Sequence, residues 1–305
     1  MRFALTEEQR DFRDAVDSLL RDANGVAAAR AWAAGDTKPG LAIWRGLAAI
    51  GMHSLAGEYP VELCAAMERV GYHAAPGPYP ESLAVATALP EWRERLAAGA
   101  VATTAVPPVA PYAPNADIAE FCVPAVAPDA AEPIAPITPI TLIAPIASLD
   151  PTRTLFPVSG TPPHAELLFD TAALLTAAQL LGLGRAALDL TVAYVKQRVQ
   201  YGRVIGEYQA VKHRLADAHT SLEFARPLVF AAALSADPGD VSAAKAAASD
   251  AAYRAARAAL QLHGAIGYTD EYDLSVYFKK IRALHSAWGT PSFHRERLLG
   301  GMSDR

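Results

Sequence analysis

Residues 198–217 read Arg-Val-Gln-Tyr-Gly-Arg-Val-Ile-Gly-Glu-Tyr-Gln-Ala-Val-Lys-His-Arg-Leu-Ala-Asp. An arginine, an aromatic-glycine turn and a Tyr-Gln pair stand here at spacings that packing alone does not require. Gly202 separates two helical patterns, since a residue without Cβ takes turn conformations at little steric cost. Working outward, helical patterns run over about 171–200, 207–235, 241–264 and 272–300, with further breaks at Asp237-Pro238-Gly239 and from Gly264 to Tyr268. Four long helices with short connections predict an antiparallel bundle over residues 169–305. Ala243 to Leu260 is alanine-rich, which joins high helix propensity to close backbone approach.

Upstream, the first hundred residues also read as helices. Thr6 with Gln9 forms a candidate capping box, and Phe12, Val16, Leu19 and Leu20 then mark one face. Ile43 to Leu55, Val61 to Tyr72 and Glu81 to Leu89 give further helical patterns, interrupted by Pro60, Pro76, Pro78 and Pro80. At about residue 101 the composition changes. Between Val101 and Ala165 lie 14 of the 23 prolines and only six charged residues. Long helices cannot persist there, and short strands such as Ile118 to Val123 and Ile140 to Ile146 are expected, with prolines at edges or strand starts. The alternative for this segment is a proline-rich linker.

With 305 residues, 52% of them hydrophobic, the chain can bury a large core. A net charge of −5 leaves no basic face for nucleic acid. The two cysteines, Cys64 and Cys122, lie outside any metal-ligand or disulfide spacing, and His213, His219, His263 and His285 are too scattered for a ligand set, so no metal is expected. The opening Met-Arg-Phe-Ala-Leu-Thr-Glu-Glu-Gln runs straight into acids rather than into the apolar core of an export signal, which points to a cytoplasmic setting. The apolar run Ala172 to Val195 carries Arg185 and Asp189 near its middle, costly at a bilayer centre, and is expected to be a buried helix rather than a membrane span.

The order of helical region (1–100), reduced strand region (101–168) and four-helix bundle (169–305) resembles the acyl-CoA dehydrogenase family. The motifs that carry the resemblance are Arg198-x-Gln200-Tyr201-Gly202-x-x-Ile205 and Gln261-x-x-Gly264-Ala265-x-Gly267-Tyr268. Leu5-Thr6-Glu7-Glu8-Gln9 and Leu47-Ala48-Ala49-Ile50-Gly51-Met52 are similar to family positions as well. The resemblance implies a mainly α fold, FAD as cofactor and an acyl-CoA substrate. The implied chemistry is abstraction of the α proton by a carboxylate and passage of the β hydride to the flavin, with an electron-transferring flavoprotein-like acceptor. In such proteins the flavin ring lies against the strand domain of one subunit and its diphosphate and adenosine against the bundle of a neighbour. Carried over, Arg198 would pair with the diphosphate in forked geometry, Tyr201 would lie against the cofactor, and Gln209, Gln261 and Gly264 would complete the contact. Singly, each has an ordinary alternative as a solvated or packing residue.

Other features depart from the family. No Thr-Glu-Pro-like stretch leading to Gly-Ser and no Trp-Ile-Thr-like strand occurs between residues 101 and 165. Gly289-Thr290 is preceded by Trp288 where the resemblance expects a glutamate, and an indole cannot take a proton from carbon. Asp250 is the candidate replacement base, one methylene shorter than glutamate; its alternative is an ion pair with Arg254 four residues on. Lys279, Lys280 and Arg282 are candidates for CoA phosphates or for a plain charged helix face. Three readings follow. The leading one is a short subunit of a heteromeric acyl-CoA dehydrogenase, similar to partner chains of actinobacterial steroid catabolism, whose longer homologue supplies the base. The others are a self-sufficient homotetramer using Asp250 and a structural subunit without flavin.

Overall fold

The computed structural model describes residues 4–123, 144–158 and 160–303. Helix α1 (Glu7–Asp22) begins at the expected capping box, with the Thr6 hydroxyl accepting from Gln9 N–H and the Gln9 carboxamide accepting from Thr6 N–H. It is followed by α2 (Gly25–Ala33), α3 (Lys38–Ala49), α4 (Pro60–Tyr72), α5 (Tyr79–Ala88) and α6 (Arg93–Ala97). Proline stands in the first turn of α3, α4 and α5, where its missing N–H costs nothing.

The proline-rich segment carries four three-residue strands: β1 (Ala102–Thr104), β2 (Tyr112–Pro114), β3 (Phe121–Val123) and β4 (Leu155–Pro157). β1 pairs with β3 in parallel and β2 with β4 antiparallel, so these residues form paired structure rather than a linker. The expected strand around Ile118 shortens to Phe121–Val123. The one expected over Ile140 to Ile146 falls mostly outside the described residues, with Ile146 forming an isolated bridge to Leu155.

Beyond them α7 (Ala165–Val195) forms the centre of the molecule. It is the one described helix long and apolar enough to cross a membrane, yet 83% of its apolar window is buried inside the protein. Small residues set its crossings. A Cβ on Gly182 would meet the Glu68 carbonyl at 1.8 Å, and one on Gly71 of α4 would meet the Gln179 carbonyl at 2.0 Å, so both glycines are needed for this close approach. A two-stranded hairpin, β5 (Val199–Gln200) and β6 (Arg203–Val204), leads into α8 (Gln209–Ser235) and α9 (Pro238–His263). Asp237 caps α9 by accepting from the N–H groups of Gly239 and Asp240. The alanines of α9 are buried in a row that includes Ala244, Ala248, Ala251, Ala252, Ala255 and Ala259.

The final pattern, expected as one helix over 272–300, is two: α10 (Leu274–Ser286) and α11 (Pro291–Ser303). Trp288 and Gly289 between them have φ of 55° and 94°, which no continuing helix allows. One apolar core runs from α1, α3, α4 and α5 through β1 and β3 to α7, α8, α9 and Trp288.

Candidate functional site

The Arg198 stretch sits at the end of the bundle where α7 stops, α8 starts and α9 stops. Tyr194 stacks on His263 with ring centroids 4.3 Å apart, which joins the ends of α7 and α9. Tyr201 and Gly202 form the two-residue turn of the β5–β6 hairpin, with φ of 53° and 80°. Positive φ at both turn positions matches the twist of the flanking strands. It also lifts the Tyr201 ring into solvent, leaving it 94% exposed. Gln209 opens α8, Gln261 lies in the last turn of α9, and Gly264 follows with φ 66° and open space where a Cβ would stand. Arg198, Gln209 and Gln261 are exposed, and their side chains have no hydrogen-bond or ionic partner among the described residues. Glu207, beside them, is exposed too.

At the α10–α11 break the arrangement is the opposite. Trp288 is 3% exposed, packs edge-on against Phe169, and donates its indole N–H to Glu81 Oε1 at 3.0 Å. Arg153 donates to the same oxygen at 3.1 Å, and Oε2 of this fully buried carboxylate has no hydrogen-bond partner among the described residues. The turn is locked from below. His294 Nε2 donates to the Trp288 carbonyl at 2.8 Å, and the Lys245 ammonium donates to the Leu284 carbonyl at 3.3 Å and the Gly289 carbonyl at 3.4 Å. Lys245 thus caps the end of α10 from within the core. Burial holds its pKa down to about 7 and that of His294 to about 4.

A cavity of about 490 Å³ opens beside Trp288, between residues 109–112, residues 147–155 and α10. Among the described residues, no carboxylate lines it.

Asp250 lies elsewhere. It faces a groove of about 840 Å³ between α8 and α9, shared with His213, Arg214, Asp217, Arg254, Arg257 and Gln261. Its carboxylate pairs with Arg295 and lies 3.9 Å from His285 Nε2, in place of the expected pair with Arg254. Lys280 is also not part of a charged face: it is 3% exposed and its ammonium reaches Asp150 at 2.9 Å and the Thr152 hydroxyl at 2.7 Å. Lys279 pairs with Asp270 at 2.6 Å, and Arg282 lies over the Tyr253 ring.

Sequence reasoning missed Glu81, Arg153, Lys245 and Asp150. The signal for Glu81 was present: a lone acid inside Tyr79 to Leu89, a helix apolar on every face, has no solvated side to turn to. A further cleft, about 460 Å³ between α1, α4, α7 and α8, is lined by charges that pair with each other: Asp17 with Arg69 and His73, Glu68 with Arg226, Arg185 with Glu223.

Helices, a small strand layer and a bundle in this order, with the hairpin motif at the bundle's end, define the architecture of an acyl-CoA dehydrogenase. Residues 164–302 match the model of the acyl-CoA dehydrogenase C-terminal domain. A glutaryl-CoA dehydrogenase from Mycobacterium smegmatis, solved in complex with FADH2, has a similar fold, with a TM-score of 0.78 at 15% identity. The acyl-CoA dehydrogenase IpdE2 of Mycobacterium tuberculosis is 43% identical over 140 residues, which are 45% of this chain and 44% of that relative. The match therefore spans less than half of the relative's length. Among solved structures, a variant of the Tcur3481-Tcur3483 steroid ACAD superimposes with a TM-score of 0.82 at 22% identity over 98% of both chains. The ChsE4-ChsE5 complex of Mycobacterium tuberculosis gives 0.75 at 19% identity over all of both chains.

Proposed function

We propose that this chain is a subunit of a heteromeric acyl-CoA dehydrogenase, and that its bundle end holds the diphosphate and adenosine of an FAD whose ring lies in a longer homologous partner. The reading rests on one contrast. The residues matched to the FAD tail are exposed and, among the described residues, unpartnered, whereas the position matched to the catalytic base is a buried tryptophan whose indole N–H is committed to Glu81.

The donor set fits the tail. The Arg198 guanidinium is free for two parallel bonds to a phosphate, Gln209 and Gln261 offer donors and acceptors, the Tyr201 ring presents a bare face, and Gly264 exposes backbone. Among the described residues, no Asp, Glu or His lines the cavity beside Trp288, where a base would have to act. Bound FAD would accept the hydride in α,β-dehydrogenation of an acyl-CoA. This chain's residues bind and orient its anionic end, and the partner supplies the carboxylate that takes the α proton. A ring-bearing acyl group, as the steroid ACAD likeness suggests, an electron-transferring flavoprotein-like acceptor and a cytoplasmic setting belong to the same proposal. So does the division at residues 100 and 168.

The self-sufficient reading is less well supported, because Asp250 is neutralised by Arg295 and does not line the cavity at Trp288. Co-expression with a longer homologue that carries the glutamate tests the proposal by flavin count. The expected result is FAD bound to the assembly, lost or at least tenfold weakened by Arg198→Ala, since a charge-assisted bidentate contact contributes on the order of 1.5–3 kcal/mol. Stoichiometric FAD and full dehydrogenase activity in the chain purified alone would overturn it.

A further inference from the structure

The groove between α8 and α9 carries a charge that this chain does not answer. Arg214 on α8 and Arg254 and Arg257 on α9 line it, all exposed, and none has an ionic or hydrogen-bond partner among the described residues. Of the two acids in the lining, Asp250 is already paired with Arg295, which leaves three guanidiniums against the carboxylate of Asp217. The chain as a whole has a net charge of −5, so this concentration of cations is local rather than a general bias. Like charges held side by side repel one another, and a counter-charge from outside relieves them.

The lining indicates which counter-charge fits. Every residue that borders the groove belongs to α8 or α9, so among the described residues no loop wraps round it as loops wrap a nucleotide phosphate. The groove also runs into an apolar strip. On α8, His213 and Asp217 share a helical stripe with Phe224 and Leu228, and these two apolar side chains are exposed. A small anion would neutralise the arginines and leave that strip in water, whereas a protein surface with acids beside apolar side chains covers both. At its other end the groove includes Gln261, so it borders the flavin-tail contact proposed above.

Resting on the heteromeric reading, we propose that the α8–α9 groove selects the partner: it receives an acidic segment of the longer homologous subunit, next to apolar side chains that cover Phe224 and Leu228. Arg214, Arg254 and Arg257 are the specificity determinants of assembly. The same charges disfavour self-pairing, since a two-fold contact of two copies through this strip sets guanidiniums against guanidiniums. Partial burial between subunits strengthens each ion pair over its value in water and makes association sensitive to salt.

Sedimentation of the co-purified assembly on dilution, at about 0.05 M and about 0.5 M salt, tests this. Arg214→Glu/Arg257→Glu reverses one cation on each wall, and Lys38→Glu/Arg45→Glu on α3 makes the same change in net charge outside the groove. All four residues are exposed, so both variants keep the core. The groove variant is expected to dissociate at a concentration at least about tenfold higher than wild type at low salt, with the difference shrinking at high salt, while the α3 variant follows wild type. The chain alone is expected to stay monomeric and to show no saturable binding of ADP. A wild-type assembly that dissociates no differently in the two variants would overturn the charge selection and leave the heteromeric reading standing, whereas no assembly with wild type would sink both. Self-association of the chain alone, or ADP binding, that Arg214→Glu/Arg257→Glu removes would assign the groove to a second copy or to a small anion and overturn the proposal as well.

Discussion

Trp288 illustrates how one residue can close a site and support a fold at once. Its backbone lies in the left-handed region, which costs a bulky residue roughly 1–2 kcal/mol. Three contacts hold it there: the indole bond to Glu81, the His294 bond to its carbonyl, and Lys245 beneath Gly289. Gly289 itself admits no replacement, since a Cβ would lie 2.6 Å from His294 Nε2. Trp288→Phe keeps most of the volume but leaves the Glu81 carboxylate with Arg153 as its remaining donor. A buried acceptor deprived of a partner costs about 1–3 kcal/mol. Trp288→Ala adds a cavity against Phe169 and should cost about 3–5 kcal/mol. Urea unfolding should therefore rank wild type above Phe and Phe above Ala; equal midpoints for the first two would show that the indole bond contributes nothing.

Among the described elements, α8 carries an apolar face that does not close on this chain. Ala218, Leu222, Ala225 and Val229 face the core, yet Phe224 and Leu228, four residues apart and so on one face, are 76% and 42% exposed. Phe224→Asp should leave the helix intact while sharply reducing association with a partner, which sedimentation of the co-expressed assembly would read directly; an unchanged complex would locate the contact elsewhere. The element level also shows where sequence was a sufficient guide. α1 with its capping box and α7 to α9 were legible because period, caps and breakers agree there. The break between α10 and α11 was not, because positive φ at Trp288 is imposed by Lys245 and His294, more than 40 residues earlier and six later. Arg198, Tyr201 and Gln261 stood out in the sequence because, exposed as they are, they serve no packing need. Glu81 escaped because its role depends on a tryptophan 207 residues away.

Across the whole molecule, buried titratable groups make stability a function of pH with a definite sign. Burial lowers His53 and His294 to about 4 from an ordinary 6.5, and Lys245 to about 7 from 10.5. In each window the unfolded chain binds more protons than the folded one, so stability rises with pH between about 4 and 6.5 through the histidines and again above about 7 through the lysine. Asp17 and Asp150, held below their ordinary value by His73 and Arg69 and by Lys280 respectively despite burial, add further loss at still lower pH. Glu68 works in reverse, since burial raises its carboxyl in spite of Arg226. The buried thiols Cys64 and Cys122 are also raised, the latter to about 12, and oppose stability only above their ordinary range near 9. Between pH 7 and 8.5 the lysine is therefore the group to isolate. Wild type should gain stability across that interval, and Lys245→Met, which fills the same space without a charge to desolvate, should show a flatter profile. Denaturation midpoints measured at pH 7, 7.75 and 8.5 decide it: parallel profiles for the two proteins would mean that Lys245 keeps its ordinary proton in the fold, and with it a charged cap beneath Trp288.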